Sequence, residues 1–169
     1  GEHRSAKFTA MNPIARVPVL ELDDGRFLAE SRAICSYLES LYPEPNLMGV
    51  DAEERAFIEM ADRQVELTLL AAVANHVRHS HPGLLPLENP QFADFAAEQG
   101  KRMVAAAALF DQLLAKRPWM AGDRFTIADI TAFCGLEFAR LVKFRPADAG
   151  LVHLAAWRER VAERPSAQL

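Results

Sequence analysis

Around residues 43–50 the hydrophobic rhythm of this chain changes, and that change limits its fold more than any other feature. Before it, extended and helical patterns alternate; after it, every long segment repeats its apolar residues at three- and four-residue spacing. Two parts follow from this: a mixed α/β part over residues 1–43 and an all-helical part over residues 51–169. Residues 44–50, with Pro45 and Gly49, form the linker. The fold class expected is α+β.

The first part opens with Phe8 and Met11 ahead of Asn12-Pro13, a turn signal. Residues 17–22 are aliphatic and β-branched, and residues 26–29 supply a partner strand. Between them Asp24-Gly25 is read as the pair of positive-φ residues of a tight hairpin turn. Ser31 is expected to cap the next helix, whose apolar positions Ile34, Leu38 and Leu41 run until Pro43. Two strands and one helix cannot bury a core alone, since three or more strands are usually needed. The chain also begins without Met, so a βαβ unit is expected to precede Gly1 in the natural protein.

In the second part, Asp51 with Glu54 makes an N-cap and partial capping box for a long helix reaching toward His79. Ile58, Ala61, Val65 and Leu69 form its inner stripe. Asn89-Pro90 is expected to start a second long helix, with Met103, Ala106, Phe110 and Leu113 inward, packed antiparallel to the first. Thr126 and Asp129 have the spacing of a full capping box, which assigns them to folding and not to chemistry. A last helix after Pro146 turns Leu154, Trp157 and Val161 inward and Arg158, Glu159 and Glu163 outward.

Composition removes several partner classes. The chain has 169 residues, half of them hydrophobic, and a formal net charge of -4. Mild acidity without a Lys/Arg block gives no electrostatic footprint for nucleic acid or an anionic membrane. The longest apolar runs fall short of the roughly 20 residues of a membrane span, and the polar N-terminus does not look like a signal peptide. The expected location is cytoplasmic. Cys35 and Cys134 stand far apart with no metal or redox spacing, so both are read as small core residues, and no metal site is expected.

The residues with chemical potential lie between positions 16 and 34. A carboxylate, Glu30, beside a helix start suits an ammonium, and the helix N-terminus itself suits a carboxylate, so the pair Glu30-Ser31 fits an amino-acid head group. Arg16-Val17-Pro18-Val19-Leu20 followed by Glu30-Ser31-Arg32-Ala33-Ile34 forms the first motif. Trp119-Met120-Ala121-Gly122-Asp123 and Phe125-Thr126-Ile127-Ala128-Asp129 come later. In this order they closely resemble the cytosolic glutathione transferases, over nearly the whole chain. The run Arg78-His79-Ser80-His81-Pro82-Gly83-Leu84 is similar to a bacterial and fungal branch of that family.

The resemblance implies a thioredoxin-like domain that binds glutathione, here only its C-terminal half, and a helical domain that completes the co-substrate site. It implies a homodimer and detoxification chemistry in which reduced glutathione is conjugated to small electrophiles or used to reduce a peroxide. Glutathione acts as a co-substrate and no cofactor is implied. The alternative is a noncatalytic protein-interaction module of the same fold.

Residue by residue, the resemblance implies a cis Val17-Pro18 bond that turns the Val17 backbone toward the cysteinyl unit of glutathione, as an added strand. Glu30 and Ser31 would hold the γ-glutamyl head, Arg16 the glycyl carboxylate, and Arg32 would extend the polar cluster or reach a dimer partner. The usual thiol-activating Ser, Tyr or Cys of the first helix is not in this chain. His79 and Ser80 are matched to that role, holding a water at the sulfur; the other reading of His79 is a solvated surface histidine. His76, Leu84 and Phe138 are expected around the co-substrate, with core packing as the alternative for the apolar pair.

Overall fold

The structure, a computed structural model, describes residues 1–168 and divides into two compact units, Gly1–Met48 and Gly49–Leu169. In the first, α1 (Ala6–Met11) leads to β1 (Val19–Glu21), β2 (Phe27–Ala29) and α2 (Ser31–Leu41). The short α1 was not foreseen; its signal is Ser5, whose side chain accepts a 3.2 Å hydrogen bond from Phe8 N–H as an N-cap.

β1 and β2 pair antiparallel in the register Val19 with Ala29, Leu20 with Leu28 and Glu21 with Phe27. The hairpin turn differs from the expected two-residue form. Gly25 N–H bonds to Leu22 C=O at 2.9 Å and Leu22 N–H to Arg26 C=O at 2.9 Å, so three residues, 23–25, make the loop. Only Gly25 has positive φ, at 81°. Such a loop needs a left-handed residue at its last position alone, which glycine supplies without steric cost, while Asp24 instead braces Arg26.

The second unit is helical throughout: α3 (Ala52–Gln64), a π-helical turn (Val65–Leu70), α4 (Ala71–Ser80), α5 (Ala93–Leu114), α6 (Ile127–Ala139) and α7 (Val152–Ala162). The expected single helix toward His79 is thus α3 and α4 joined through one wide turn. That turn keeps Val65 and Leu69 in the stripe begun by Ile58 and Ala61, all four buried. Asp51 caps α3 by accepting from Glu54 N–H at 2.9 Å, and Glu54 reaches back to Val50 N–H at 2.8 Å.

The second long helix starts at Ala93, later than Asn89-Pro90. Gln91 and Phe92 are already committed to the end of α4: the Gln91 amide donates to the carbonyls of Arg78 and His81 at 2.7 and 2.9 Å, and Phe92 N–H to His79 at 3.4 Å. His76 lies further along, against the Ala96 carbonyl at 2.8 Å. Contacts therefore climb α5 as they descend α4, which makes the pair antiparallel.

The core lies among α4, α5, α6 and α7, with Val73, Val77, Ala107, Phe110, Leu136, Leu154 and Trp157 buried in one cluster. Its polar hub is Asp129, fully buried. The carboxylate accepts from Thr126 N–H, Met120 N–H and the Trp157 indole, each at 2.9 Å, and from the Thr126 hydroxyl at 3.2 Å. Burial pushes this carboxyl up from its ordinary 3.8, and the bonds from Met120, Thr126 and Trp157 pull it part of the way back.

Three expectations are corrected by this packing. The helix beginning at residue 31 is not capped by Ser31: the N-cap is Glu30, and no side-chain cap bond forms there. Cys134 is exposed, because α6 buries Ala128, Ala132, Gly135, Leu136 and Ala139 and leaves Cys134 on the other side; Cys35 is half-buried. Arg158 is not turned freely outward but folds onto Glu137, with its guanidinium 5.8 Å from the Phe133 ring centroid. Among the described residues no helix is long and apolar enough to cross a membrane.

Candidate functional site

The first unit builds a polar corner at the open end of its hairpin. Asn12 is nearly fully buried, at 3% exposure, and both ends of its amide are used. Its NH2 group donates to the Arg16 carbonyl at 2.8 Å and its oxygen accepts from Ile14 N–H at 3.1 Å. This clamp shapes the loop through Ala15, at φ 56°, and delivers the cis Val17-Pro18 bond to the start of β1.

Val17 is 70% exposed, and neither its N–H nor its C=O has a backbone partner among the described residues. The ladder begins only at Val19, opposite Ala29, so extending the same register sets Val17 opposite Ser31. The unpaired strand edge and the start of α2 therefore share one end of the hairpin.

At that end Glu30 holds φ 69° and ψ 112°, a backbone region costly for a residue with a Cβ. The first helical bond is Ile34 N–H to the Glu30 carbonyl at 3.0 Å, so Ser31 is the first residue of α2 and its N–H lies ahead of the ladder. Glu30 and Ser31 are both exposed. The arrangement offers an anionic carboxylate, a hydroxyl and a positive helix end together, the complement of an α-amino acid. Arg16 is exposed and has no ion-pair partner among the described residues; Arg32 is half-buried, with one guanidinium nitrogen 3.5 Å from the Met48 thioether.

In the second unit His79 is largely enclosed, its side chain 12% exposed. The ring lies between Phe92 (centroids 5.7 Å apart) and Phe95 (5.1 Å, edge-on); Nδ1 accepts from Phe92 N–H, and Nε2 faces Glu88 at 4.0 Å. It is therefore not a solvated surface histidine. The Ser80 hydroxyl donates to the His76 carbonyl of its own helix at 2.6 Å. His76 packs against Gly100, where an added Cβ would come within 3.1 Å of its ring. Leu84 and Phe138 are partly buried against the helical core. A cavity of about 280 Å³ between α6 and α7, lined by Leu136, Phe144 and Arg145 among others, includes none of these residues.

Several of these participants were not singled out from sequence. Asn12 was read only as half of a turn dipeptide, although an Asn before Pro is also the signal for a side chain that bonds its own loop. Glu88 and Phe95 meet His79 only through the fold, and no local pattern marks them. Among the described residues no group of three or more His, Cys, Asp or Glu converges as a metal-ligand set.

Comparison with known proteins gives a consistent result along the chain. A family model described as glutathione S-transferase, N-terminal domain, matches residues 1–46, and one described as glutathione S-transferase, C-terminal domain, matches residues 69–165. Glutathione S-transferase 2 of Saccharomyces cerevisiae is 40% identical over 98% of this chain and 71% of its own length. Glutathione S-transferase GstA of Escherichia coli O157:H7 is 34% identical over 95% of this chain and 75% of its own. Among solved structures, a glutathione S-transferase domain-containing protein of Marinobacter aquaeolei VT8 superposes with a TM-score of 0.91 at 44% identity, over 99% of this chain and 82% of that one.

Proposed function

This chain belongs to the glutathione S-transferase family, and from that premise we propose that the corner formed by Val17, Pro18, Glu30 and Ser31 is where it holds glutathione. The activity is that of a glutathione transferase: the thiol of glutathione loses its proton, the sulfur bonds to an electrophilic carbon, and the leaving group departs with its electron pair. Glutathione is the co-substrate.

The observation that carries the site reading is the joint presence, at one hairpin end, of an unpaired Val17 backbone and a carboxylate held at φ 69° beside a helix start. The γ-glutamyl ammonium meets Glu30, its carboxylate meets Ser31 and the first N–H groups of α2, and the cysteinyl unit pairs with Val17 as an added strand. Arg16 takes the glycyl carboxylate. Arg32, 3.5 Å from the Met48 thioether, extends the polar cluster around the head group.

In the helical unit His79 is the group that holds a water for the thiol, its ring kept still by Phe92 and Phe95. Ser80 supports it through its helix, while His76, Leu84 and Phe138 belong to the co-substrate side. The protein works in the cytoplasm as a homodimer. The row Phe57, Met60 and Leu67, exposed on α3 and the turn after it, is the apolar surface a second copy would cover.

Retention on immobilised glutathione tests the site. The chain is expected to bind and to be eluted by free glutathione, and Glu30→Ala to pass through. No measurable retention of the parent would overturn the assignment and favour a noncatalytic association module.

A further inference from the structure

Both ring nitrogens of His79 have assigned neighbours. Nδ1 accepts from Phe92 N–H at 3.4 Å, and Nε2 faces a carboxylate oxygen of Glu88 at 4.0 Å. Phe92 is the N-cap residue of α5, its carbonyl already bonded to Ala96 N–H at 3.0 Å, so the N–H that meets His79 is held by the helix behind it. The rings of Phe92 and Phe95 fix the plane of the imidazole.

Glu88 is held by its own backbone. Its N–H and that of Leu87 both bond to the Leu84 carbonyl at 2.9 Å, and Leu84 N–H bonds to the His81 carbonyl at 3.0 Å, so the chain leaving α4 turns back over its end. Beyond Glu88, the Gln91 amide ties the same segment to the carbonyls of Arg78 and His81. No Lys or Arg among the described residues pairs with Glu88.

These contacts limit what the ring can do. A neutral imidazole has one N–H and one lone pair, and here the lone pair at Nδ1 takes the Phe92 N–H. The proton therefore stands on Nε2, toward Glu88. A second proton could enter only at Nδ1, where it would meet the Phe92 N–H head-on, so the ring has no lone pair to offer a substrate proton. His76, three residues earlier, is the opposite case: its Nδ1 meets the Ala96 carbonyl at 2.8 Å, which requires the proton on Nδ1. The 4.0 Å between His79 Nε2 and Glu88 is too long for a direct hydrogen bond and suits one water touching both.

We propose that His79 acts in the thiol chemistry as a hydrogen-bond donor and not as a base, and that Glu88 is the positioning residue that aims its Nε2–H. This rests on the reading that His79 holds the water for the thiol. In that role Nε2–H donates to the water oxygen and Glu88 accepts one of the water's hydrogens, which leaves the other hydrogen to donate to the glutathione sulfur. A donor at sulfur favours thiolate over thiol, and the thiol proton passes to solvent water without residing on the protein.

Steady-state conjugation of reduced glutathione to an activated aryl chloride, in His79→Gln, His79→Leu and Glu88→Ala, tests this. Rates are expressed per glutathione-binding site, so a variant that folds in part is compared on its folded fraction. A glutamine amide can donate from the place of Nε2–H but cannot take up a proton. His79→Gln is therefore expected to stay within about fivefold of the parent in kcat, while His79→Leu falls about tenfold or more. Glu88→Ala should lower kcat several-fold at unchanged KM for both substrates, and nitrogen NMR of the parent should find the His79 proton on Nε2, with His76 as the internal contrast. His79→Gln as slow as His79→Leu would make the ring a base and overturn the proposal, as would Glu88→Ala at the parent's kcat or an Nδ1-protonated His79. His79→Leu at the parent's kcat is a different failure: it reduces His79 to a brace for the start of α5 and removes the reading beneath the proposal.

Discussion

The indole N–H of Trp157 donates to the carboxylate of Asp129 at 2.9 Å across 28 residues of chain, and this single bond ties α7 to the N-terminus of α6. The same carboxylate takes Met120 N–H and Thr126 N–H. Asp129→Ala would leave three buried donors without an acceptor, each costing on the order of 1–3 kcal/mol. A loss of roughly 3 kcal/mol or more in urea unfolding is therefore expected. Asp129→Asn, which keeps an acceptor oxygen, should lose less. Glutathione affinity measured below the unfolding transition should change little in either variant, because Asp129 serves the helical unit and not the ligand corner.

Glu30 separates folding from binding in the opposite sense. Under the proposed function its side chain meets the ligand, while its backbone sits at φ 69° and ψ 112°, where glycine, lacking a Cβ, is strained less than glutamate. Glu30→Gly is therefore expected to hold the melting temperature of the parent or exceed it, since relief of the backbone offsets the added freedom of the unfolded chain. Glutathione affinity should fall by about ten- to a hundredfold, the worth of one charge-assisted hydrogen bond of roughly 1.5–3 kcal/mol. Equal losses in melting temperature and affinity would show that Glu30 is only a structural residue.

Asn12 clamps the loop that leads to Val17, and under the proposed function it acts there without touching glutathione. In Asn12→Asp the acceptor for Ile14 N–H survives, but the donor to the Arg16 carbonyl becomes an oxygen facing an oxygen. The loop should then present Val17 poorly, raising KM for glutathione several-fold while KM for the electrophile stays near that of the parent. A change confined to kcat would count against a positioning role.

The helical unit was legible because its signals are local and periodic. The stripe from Ile58 to Leu69, the inward row of Leu154, Trp157 and Val161, and the capping acid Asp129 all lie where their spacing put them. What was not legible depends on distant partners or on backbone geometry. The N–H groups of His153 and Leu154 at the start of α7 are capped by Asp111 of α5, at 2.8 and 2.9 Å, which no sequence window around α7 contains. Ser31 carried the chemistry of an N-cap, yet the positive φ of Glu30 shifts the helix start by one residue and frees the Ser31 hydroxyl from that duty. That Glu30 and Ser31 stand at a helix start was readable; the backbone strain of Glu30 and the Asn12 clamp were not, since both arise from how the loop closes.

Acid stability should depend on two glutamates of the helical unit. Burial pushes the Glu137 carboxyl up, but the guanidiniums of Arg140 and Arg158 outweigh it and hold the group below its ordinary 4.5. Glu54 is held below the same value by Val50 N–H and then by Arg124. A carboxyl with a lowered pKa in the folded state adds stability that is fully present above about 4.5 and is lost as pH falls through the folded value, because protonation removes the partner that each arginine has. Denaturant unfolding followed from pH 7 to pH 3 should thus show stability falling on the acid side. Glu137→Gln should begin less stable at pH 7 and fall by a smaller amount, since the glutamine has no proton to gain. Asp129, raised by burial, holds its proton more tightly in the folded state, so its substitution should not flatten the acid limb; if Asp129→Asn flattens it and Glu137→Gln does not, the ordering of these carboxyls is reversed.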